Sequence, residues 1–431
     1  SVRNFTQPTR LTKSQNHKMQ LIKPTTNLRS MGSLAQALLS DKSFDIEFQG
    51  YLSNHVKHAI IALDRLDAPA SRLQGYWDEY TKLTPYEIPL HKVEESWDTV
   101  KPAISEEWND WRGKKIHWQR QAAFMDDELS RLDNDTNKLV KQYAPELLSG
   151  MAGALTHGVI HLGWAIDAQS PWMICEGLSY LNFCHLGFED EQVLDFETEN
   201  DDSAPMDSFI RVANTFEKEE LLESWVNKVK KSYDKSFHPE LVPAGFQWEL
   251  SKLFKEPHQV ATVIPKWIRQ CPLPEIWEEL YHAVVGLYLA SRDQNGNGNF
   301  VVLHLITSLW GLEKTMRVLE PPEEVERKVL GQFYAMTITL LGASAAGFPR
   351  PELLEAVHKD YAKQVVDNAE QFDWRPIAKA GIAEKEEHNI KLVYVSRELW
   401  RRFGHWKGFS DAAKSFTLTP NIRPSTAVFT A

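Results

Sequence analysis

In this 431-residue chain with fifteen histidines, four helical segments carry histidine on faces where only apolar side chains are expected. His388 aligns with Leu392, Val395 and Leu399, and Lys391 lies about 60° from that line at the helical advance of roughly 100° per residue. Glu386 and Glu387 point away from it. His55 shares its face with Ala59, Ala62 and Leu66, flanked by Leu63, with His58 at the stripe's edge and Lys57 and Asp64 opposite. Over Gly150 to Trp164, His157 and His161 stand four apart on one face with Gly150, Ala154 and Trp164, and Gly153, Gly158 and Gly163 leave room for a close neighbour. His304 sits in Phe300 to Trp310, which is apolar nearly all round, with Thr307 one turn on.

A buried imidazole needs a partner, because an unsatisfied polar group in a core costs about 1–3 kcal/mol. One shared metal ion would satisfy several at once, and the neutral imidazole is the form that binds a metal. Separate hydrogen bonds would satisfy them too, and periodicity leaves both readings open. The spacing is not that of a zinc site: there is no HExxH and no cysteine pair. A di-iron bundle needs Glu-x-x-His pairs, which Glu279/His282 and Glu355/His358 supply in spacing. The stripe through Leu354, Val357, Tyr361 and Val365, however, turns Glu355 and His358 to a flank.

The elements carrying these residues have a helical period. Segments near 54–67, 114–132, 145–168, 214–232, 272–291, 299–317, 322–346, 351–368 and 385–402 read as helices. Ser53-Asn54, Pro321-Pro322-Glu323-Glu324 and Pro351-Glu352 act as start signals. Asp293 to Asn299 (DQNGNGN) reads as a turn between helices rather than a hairpin. The expectation is an all-α fold: a single large helical domain with a buried central metal or active site. It covers 41–410, preceded by a basic arm over 1–40 and followed by a tail over 411–431. The arm carries six basic residues and no acid, and Pro8 and Pro24 break any amphipathic presequence helix. Glu189 to Asp202 reads as a solvated acidic loop.

Composition excludes other classes. A net charge of −11 argues against a nucleic-acid scaffold. The longest apolar runs, Phe300 to Leu312 and Tyr334 to Phe348, stop short of the roughly 20 residues of a membrane span. Cys175, Cys184 and Cys271 fit a reducing interior, so a cytoplasmic location is expected ahead of mitochondrial import. Fifteen tryptophans suit either a pocket for a flat aromatic ligand or an aromatic core.

At these same residues the sequence resembles the questin oxidase-like family, which includes enzymes that open anthraquinone rings. The matching segments are Ser53-Asn54-His55-Val56-Lys57-His58, His157-Gly158-Val159-Ile160-His161-Leu162-Gly163, His304-Leu305-Ile306-Thr307-Ser308 and Glu386-Glu387-His388-Asn389-Ile390-Lys391. Glu386 stands where the family often has Asp, and Asp67 where it often has Gly. The resemblance implies an oxygenase acting on a small aromatic polyketide, in one branch a non-haem iron dioxygenase. His55, His157, His304 and His388 would then be the nitrogen ligands of Fe(II), and Lys391, N-carboxylated, an oxygen ligand. Dioxygen would be co-substrate, and a reduced anthraquinone would be cleaved to a benzophenone-type acid. His58 and His161 would orient phenols or shuttle a proton, Trp164 would stack on the rings, and Thr307 would support that pocket. NADPH would serve a separate partner reductase. Two rivals remain: a Baeyer–Villiger-type oxidase without bound iron, and a non-catalytic protein that binds aromatic ligands. The flavin form of the first needs a Gly-rich strand-turn-helix, yet no GxGxxG occurs and Gly296-Asn297-Gly298 follows a helix.

Overall fold

A computed structural model describes residues 29–361 and 372–420. Two compact units divide the chain, Ser1–Ser30 and Met31–Ala431. Only Arg29 and Ser30 of the former are described, so most of the expected basic arm lies outside the described residues. The larger unit is all-α apart from a two-stranded antiparallel hairpin, β1 Glu47–Phe48 and β2 Leu52–Ser53, in which Glu47 pairs with Ser53. Gln49 and Gly50 turn it in the left-handed region, at φ 54° and 76°.

The helices used below are α1 Ser33–Leu39, α2 Val56–Arg65, α3 Ala70–Lys82, α4 Trp118–Arg131, α5 Thr136–Leu147, α6 His157–Ala168, α7 Pro171–Phe183, α8 Pro205–Lys218, α9 Phe246–Lys255, α10 Leu273–Ala290, α11 Phe300–Leu319, α12 Glu323–Ala343, α13 Pro351–Tyr361, α14 Arg375–Ala383, α15 Glu387–Arg402 and α16 Lys407–Ala412. At the centre, α6 lies between α7 and α11, and α15 packs across α2 and α11. Glycines set these distances. A Cβ on Gly177 of α7 would come 2.6 Å from the Cα of Leu162, and one on Gly158 of α6 would come 3.0 Å from the Cα of Leu181. The close-packing role expected of Gly158 and Gly163 is therefore met by α7 and α11.

Two expected helices are interrupted. The segment 145–168 is not continuous: α5 ends at Leu147, and Ala154, Leu155 and Thr156 follow in the left-handed region at φ 48°, 51° and 67° before α6 begins at His157. Gly150 and Ala154 thus do not share a helical face with His157. The cause is a second chain segment. The backbone of Ala152 donates to Leu186 and that of Leu186 to Gly150, each at 3.1 Å, so these groups serve a bridge rather than a helix. The segment 214–232 breaks at Glu220, φ 49°, and resumes as a π-turn over Leu222–Asn227. Helix α13 is described to Tyr361, and the rest of its expected span falls outside the described residues.

Buried residues also occur outside 41–410. Helix α1 buries Ala35 and Leu39 completely. Beyond 410, Ala412 and Ala413 are buried, and the Thr417 backbone donates to Asn389 Oδ1 at 2.8 Å. The Asp293–Asn299 turn joins α10 to α11, as expected. The Asn299 side chain caps α11 by accepting from the backbone of Val301 and Val302 at 2.9 and 3.1 Å.

Candidate metal centre

Four chain segments bring the four histidines together. His55 precedes α2, where the hairpin delivers it and Asn54 Oδ1 accepts from Val56 N at 3.1 Å. His157 opens α6, His304 lies in the first turns of α11, and His388 is the second residue of α15. All four are nearly or fully buried, with exposures of 3, 5, 0 and 0%. The ring of His55 lies 4.4 Å from that of His157 and 4.5 Å from that of His388, centroid to centroid. His304 is 4.8 Å from His157 and 4.7 Å from His388. Ligand nitrogens of His55, His157 and His388 all lie within 4.8 Å of one another, and His304 Nε2 is 3.1 Å from His388 Nε2.

Hydrogen bonds to the outer nitrogens decide what the inner ones offer. His304 Nδ1 donates to the Phe300 carbonyl at 2.7 Å, and His157 Nδ1 donates to the Ala154 carbonyl. A carbonyl only accepts, so each Nδ1 carries the proton and each neutral ring turns a bare Nε2 lone pair inward. Burial, reinforced by neighbouring cationic groups, holds all four imidazoles below their ordinary range, His304 down to about 3. His157 Nε2 is buried with no partner among the described residues. The left-handed run before α6 supplies the carbonyl that fixes this tautomer.

Lys391, one turn along α15, is fully buried with its Nζ 3.0 Å from His55 Nδ1. Burial lowers its ammonium to about 8, against the pull of Glu387 and Glu386. Those glutamates were expected to point away from the cluster, yet they are 3 and 0% exposed. Glu386 Oε1 is 2.5 Å from His388 Nδ1, and Glu387 Oε1 accepts from Tyr86 and Tyr80 at 2.7 and 3.3 Å. Face geometry fails here because Glu386 precedes the helix proper, so its side chain can fold back onto His388. Burial raises both carboxyls; the Glu387 charge raises Glu386 further, while hydrogen bonds from Tyr86 and Tyr80 and the charge of Lys391 pull Glu387 part of the way back.

A second array runs outward from the cluster. His58, its ring 5.5 Å from that of His55, has Nε2 3.0 Å from His161 Nδ1. His161 Nε2 in turn lies 3.3 Å from Glu176 Oε2. Glu176, from α7, accepts from Lys57 Nζ at 2.7 and 2.8 Å and from Trp172 Nε1 at 2.8 Å. Burial disfavours its charge, but Lys57 and His161 outweigh that and hold its carboxyl below the usual range. A small cleft lined by Asp41, Asp45, Lys57, His161 and Glu176 meets this outer end.

The family model described as questin oxidase-like matches residues 52–396, a span holding all four histidines, Lys391 and Glu176. The chain belongs to the questin oxidase-like family. No curated protein matches the chain closely enough to count as a relative. Membership points to an oxidoreductase acting on anthraquinone-type substrates. In this questin oxidase-like protein the converging nitrogens of His55, His157 and His388 could hold a metal ion, since unprotonated imidazole nitrogens are metal donors. Among the described residues no helix is long and apolar enough to cross a membrane.

The remaining expected site residues lie apart from the cluster's open side. Trp164 is fully buried against Tyr394 and His58, and its Nε1 donates to the Thr307 carbonyl at 3.4 Å. Thr307 Oγ1 donates to the His304 carbonyl at 3.3 Å. The Trp164 indole thus ties α6 to α11 through the Thr307 carbonyl, the Thr307 hydroxyl bonds within α11, and neither residue lines the chamber of about 40 Å³ that touches His55 and His157. The di-iron alternative has no support in placement: Glu355 and His358 are exposed on α13, and His282 stacks on Phe409 instead. Sequence reading missed Glu176, because α7 was not read as a helix. The available signal was a single acid within the apolar run Pro171–Phe183.

Proposed function

We propose that this chain is a non-haem iron(II)-dependent oxygenase that cleaves a central-ring carbon–carbon bond of a reduced anthraquinone. The observation that carries this reading is the pair of bare, inward Nε2 atoms of His157 and His304, fixed by backbone carbonyls and buried beside His388 and His55. Imidazoles held in that tautomer present an unprotonated Nε2, and the carbonyl that accepts from Nδ1 strengthens it as a ligand. His55, His157, His304 and His388 would hold the metal, with Lys391 as a fifth ligand once its neutral amine has captured carbon dioxide. Bound Fe(II) supplies the one-electron chemistry that lets triplet dioxygen react with a closed-shell phenol.

The protein's own groups do the rest. Glu386 fixes the His388 ring, and Tyr86 and Tyr80 hold Glu387 in place beside it. The chain His58–His161–Glu176 carries protons between the site and the outer cleft. Trp164 and Thr307 act as positioning residues for the His157 and His304 helices. The overall reaction balances without a further reductant: an anthrahydroquinone plus dioxygen has the composition of the hydroxybenzoyl benzoic acid formed when the ring opens. NADPH would serve a separate reductase that prepares the hydroquinone.

The test is anaerobic purification, metal analysis and oxygen uptake with a dithionite-reduced anthraquinone, before and after chelation. Iron near equivalence with the chain, uptake lost on chelation and restored by Fe(II), and both atoms of labelled dioxygen in the product are expected. Full turnover by iron-free protein would remove the proposal.

A further inference from the structure

Two cavities meet beside the histidine cluster. The inner chamber, about 40 Å³, is lined by Tyr51, Ser53, His55, Leu155, His157 and Phe300 among others. A water needs about 10–15 Å³ of such space, so it holds a few water-sized molecules but no fused ring. The outer cavity is about 400 Å³, inside the range of about 300–1,000 Å³ found for small-molecule sites. Leu155 lines both. Chain neighbours line the two sides of one wall: Ala244 faces the inner chamber and Gly245 the outer, and Phe300 and Val301 divide in the same way.

We infer that the outer cavity binds a planar, anionic polycyclic phenol, and that Leu155 is the gate across which the reacting edge reaches the metal centre. This rests on the function proposed above. The chemistry of the wall selects the class. Phe246 and Trp248 line it with aromatic rings, one face of Trp248 being covered by Lys252 Nζ at 3.3 Å, and Asn299, Val301 and Ala343 add a mostly apolar lining. Two cations, Lys230 and Lys235, complete it. Lys230 is anchored by donating to the Ala343 carbonyl at 2.9 Å, whereas Lys235 is exposed at the rim. The acid on this wall, Glu249, is paired with Lys252 at 3.3 Å and its charge also acts on Lys230, which leaves Lys235 at the rim to meet an anion. Leu155 itself stands in the middle of the left-handed run, at φ 51°. Strain of this kind, about 1–3 kcal/mol per residue, persists where surrounding structure imposes it, and it is common at ligand-gating positions.

The experiment measures equilibrium binding of anthraquinone-2-carboxylate and of its neutral hydroxymethyl counterpart to the iron-loaded full chain. A tryptophan at the exposed mouth, Ala345→Trp, is expected to weaken both about tenfold or more. Lys235→Glu is expected to weaken the carboxylate about fivefold, the size of an exposed charge contact, and to spare the neutral probe. Leu155→Ala, which shortens the gate, is expected to change kcat for the reduced substrates about fivefold or more at unchanged iron content, and an unchanged kcat would overturn the gate. Unchanged affinity in Ala345→Trp with normal iron content, or no binding of either probe to the wild type, would overturn the assignment. Loss of the iron reading alone would leave these affinities unaltered, so the two failures are separable.

Discussion

A Cβ built on Gly163 would overlap the Cα and carbonyl of Gly311, so α6 and α11 cross backbone to backbone at this point. The crossing sets how near His157 and His304 can come, since each lies on one of the two helices. Even one methyl must push the pair apart. Overpacking of this kind costs about 1–3 kcal/mol, and backbone rather than a flexible side chain must yield here. Gly163→Ala is therefore expected to lower the melting temperature and to reduce iron retained at limiting metal. A variant that melts like the wild type and keeps its iron would show that the crossing does not set the cluster.

The placement of Lys391 makes a separate prediction. Its buried amine, lowered to about 8, is neutral often enough near neutral pH to react with carbon dioxide. Lys391→Ala should lose most turnover and much of the iron. Depletion of bicarbonate during metal reconstitution should slow recovery of activity in the wild type, and its return should restore it. Wild-type iron and rate in Lys391→Ala would refute the lysine's role.

Much of this site was legible because a buried polar residue breaks an apolar stripe. His55, His157, His304, His388 and Lys391 all announced themselves that way, and all are buried together. The illegible parts depend on contacts between distant segments. The left-handed run at Ala154–Thr156 is imposed by the Leu186 bridge, which periodicity cannot register, and it erased the expected helix through Gly150. Glu386 escaped because the residue before a helix does not obey the helical wheel. Glu176 escaped because α7, apolar all round, has no stripe to mark its faces.

Glu176 is the outermost member of the His58–His161 array, and its removal separates transfer from stability. Glu176→Gln keeps the shape and one acceptor for Lys57 but ends proton exchange at this position. Positioned acid–base groups contribute typically about 10²–10⁴ in rate, so a fall in kcat of at least about tenfold is expected with iron content unchanged. The solvent deuterium isotope effect on kcat should rise, a readout that a purely structural role would not move. Because a buried charge loses its counter-ion, some loss of stability accompanies it. An unchanged isotope effect and rate would exclude the array from proton transfer.

Acid stability can be predicted from histidines outside the central histidine cluster. His282 sits among Phe403, Trp406 and Phe409, and burial lowers it from its ordinary 6.5 to about 4. Burial, with Arg112 nearby, does the same to His185. Between these values the unfolded chain binds a proton that the folded chain refuses. Stability from each group is thus complete above pH 6.5 and is lost as pH falls toward 4, with a limiting slope of about 1.4 kcal/mol per pH unit. His282→Phe keeps a ring in the aromatic box and removes the titration. Denaturant unfolding of the chelated protein from pH 7 to 4 should give a shallower decline for the variant than for the wild type. Parallel curves would mean that His282 is protonated in the folded state as readily as in the unfolded chain.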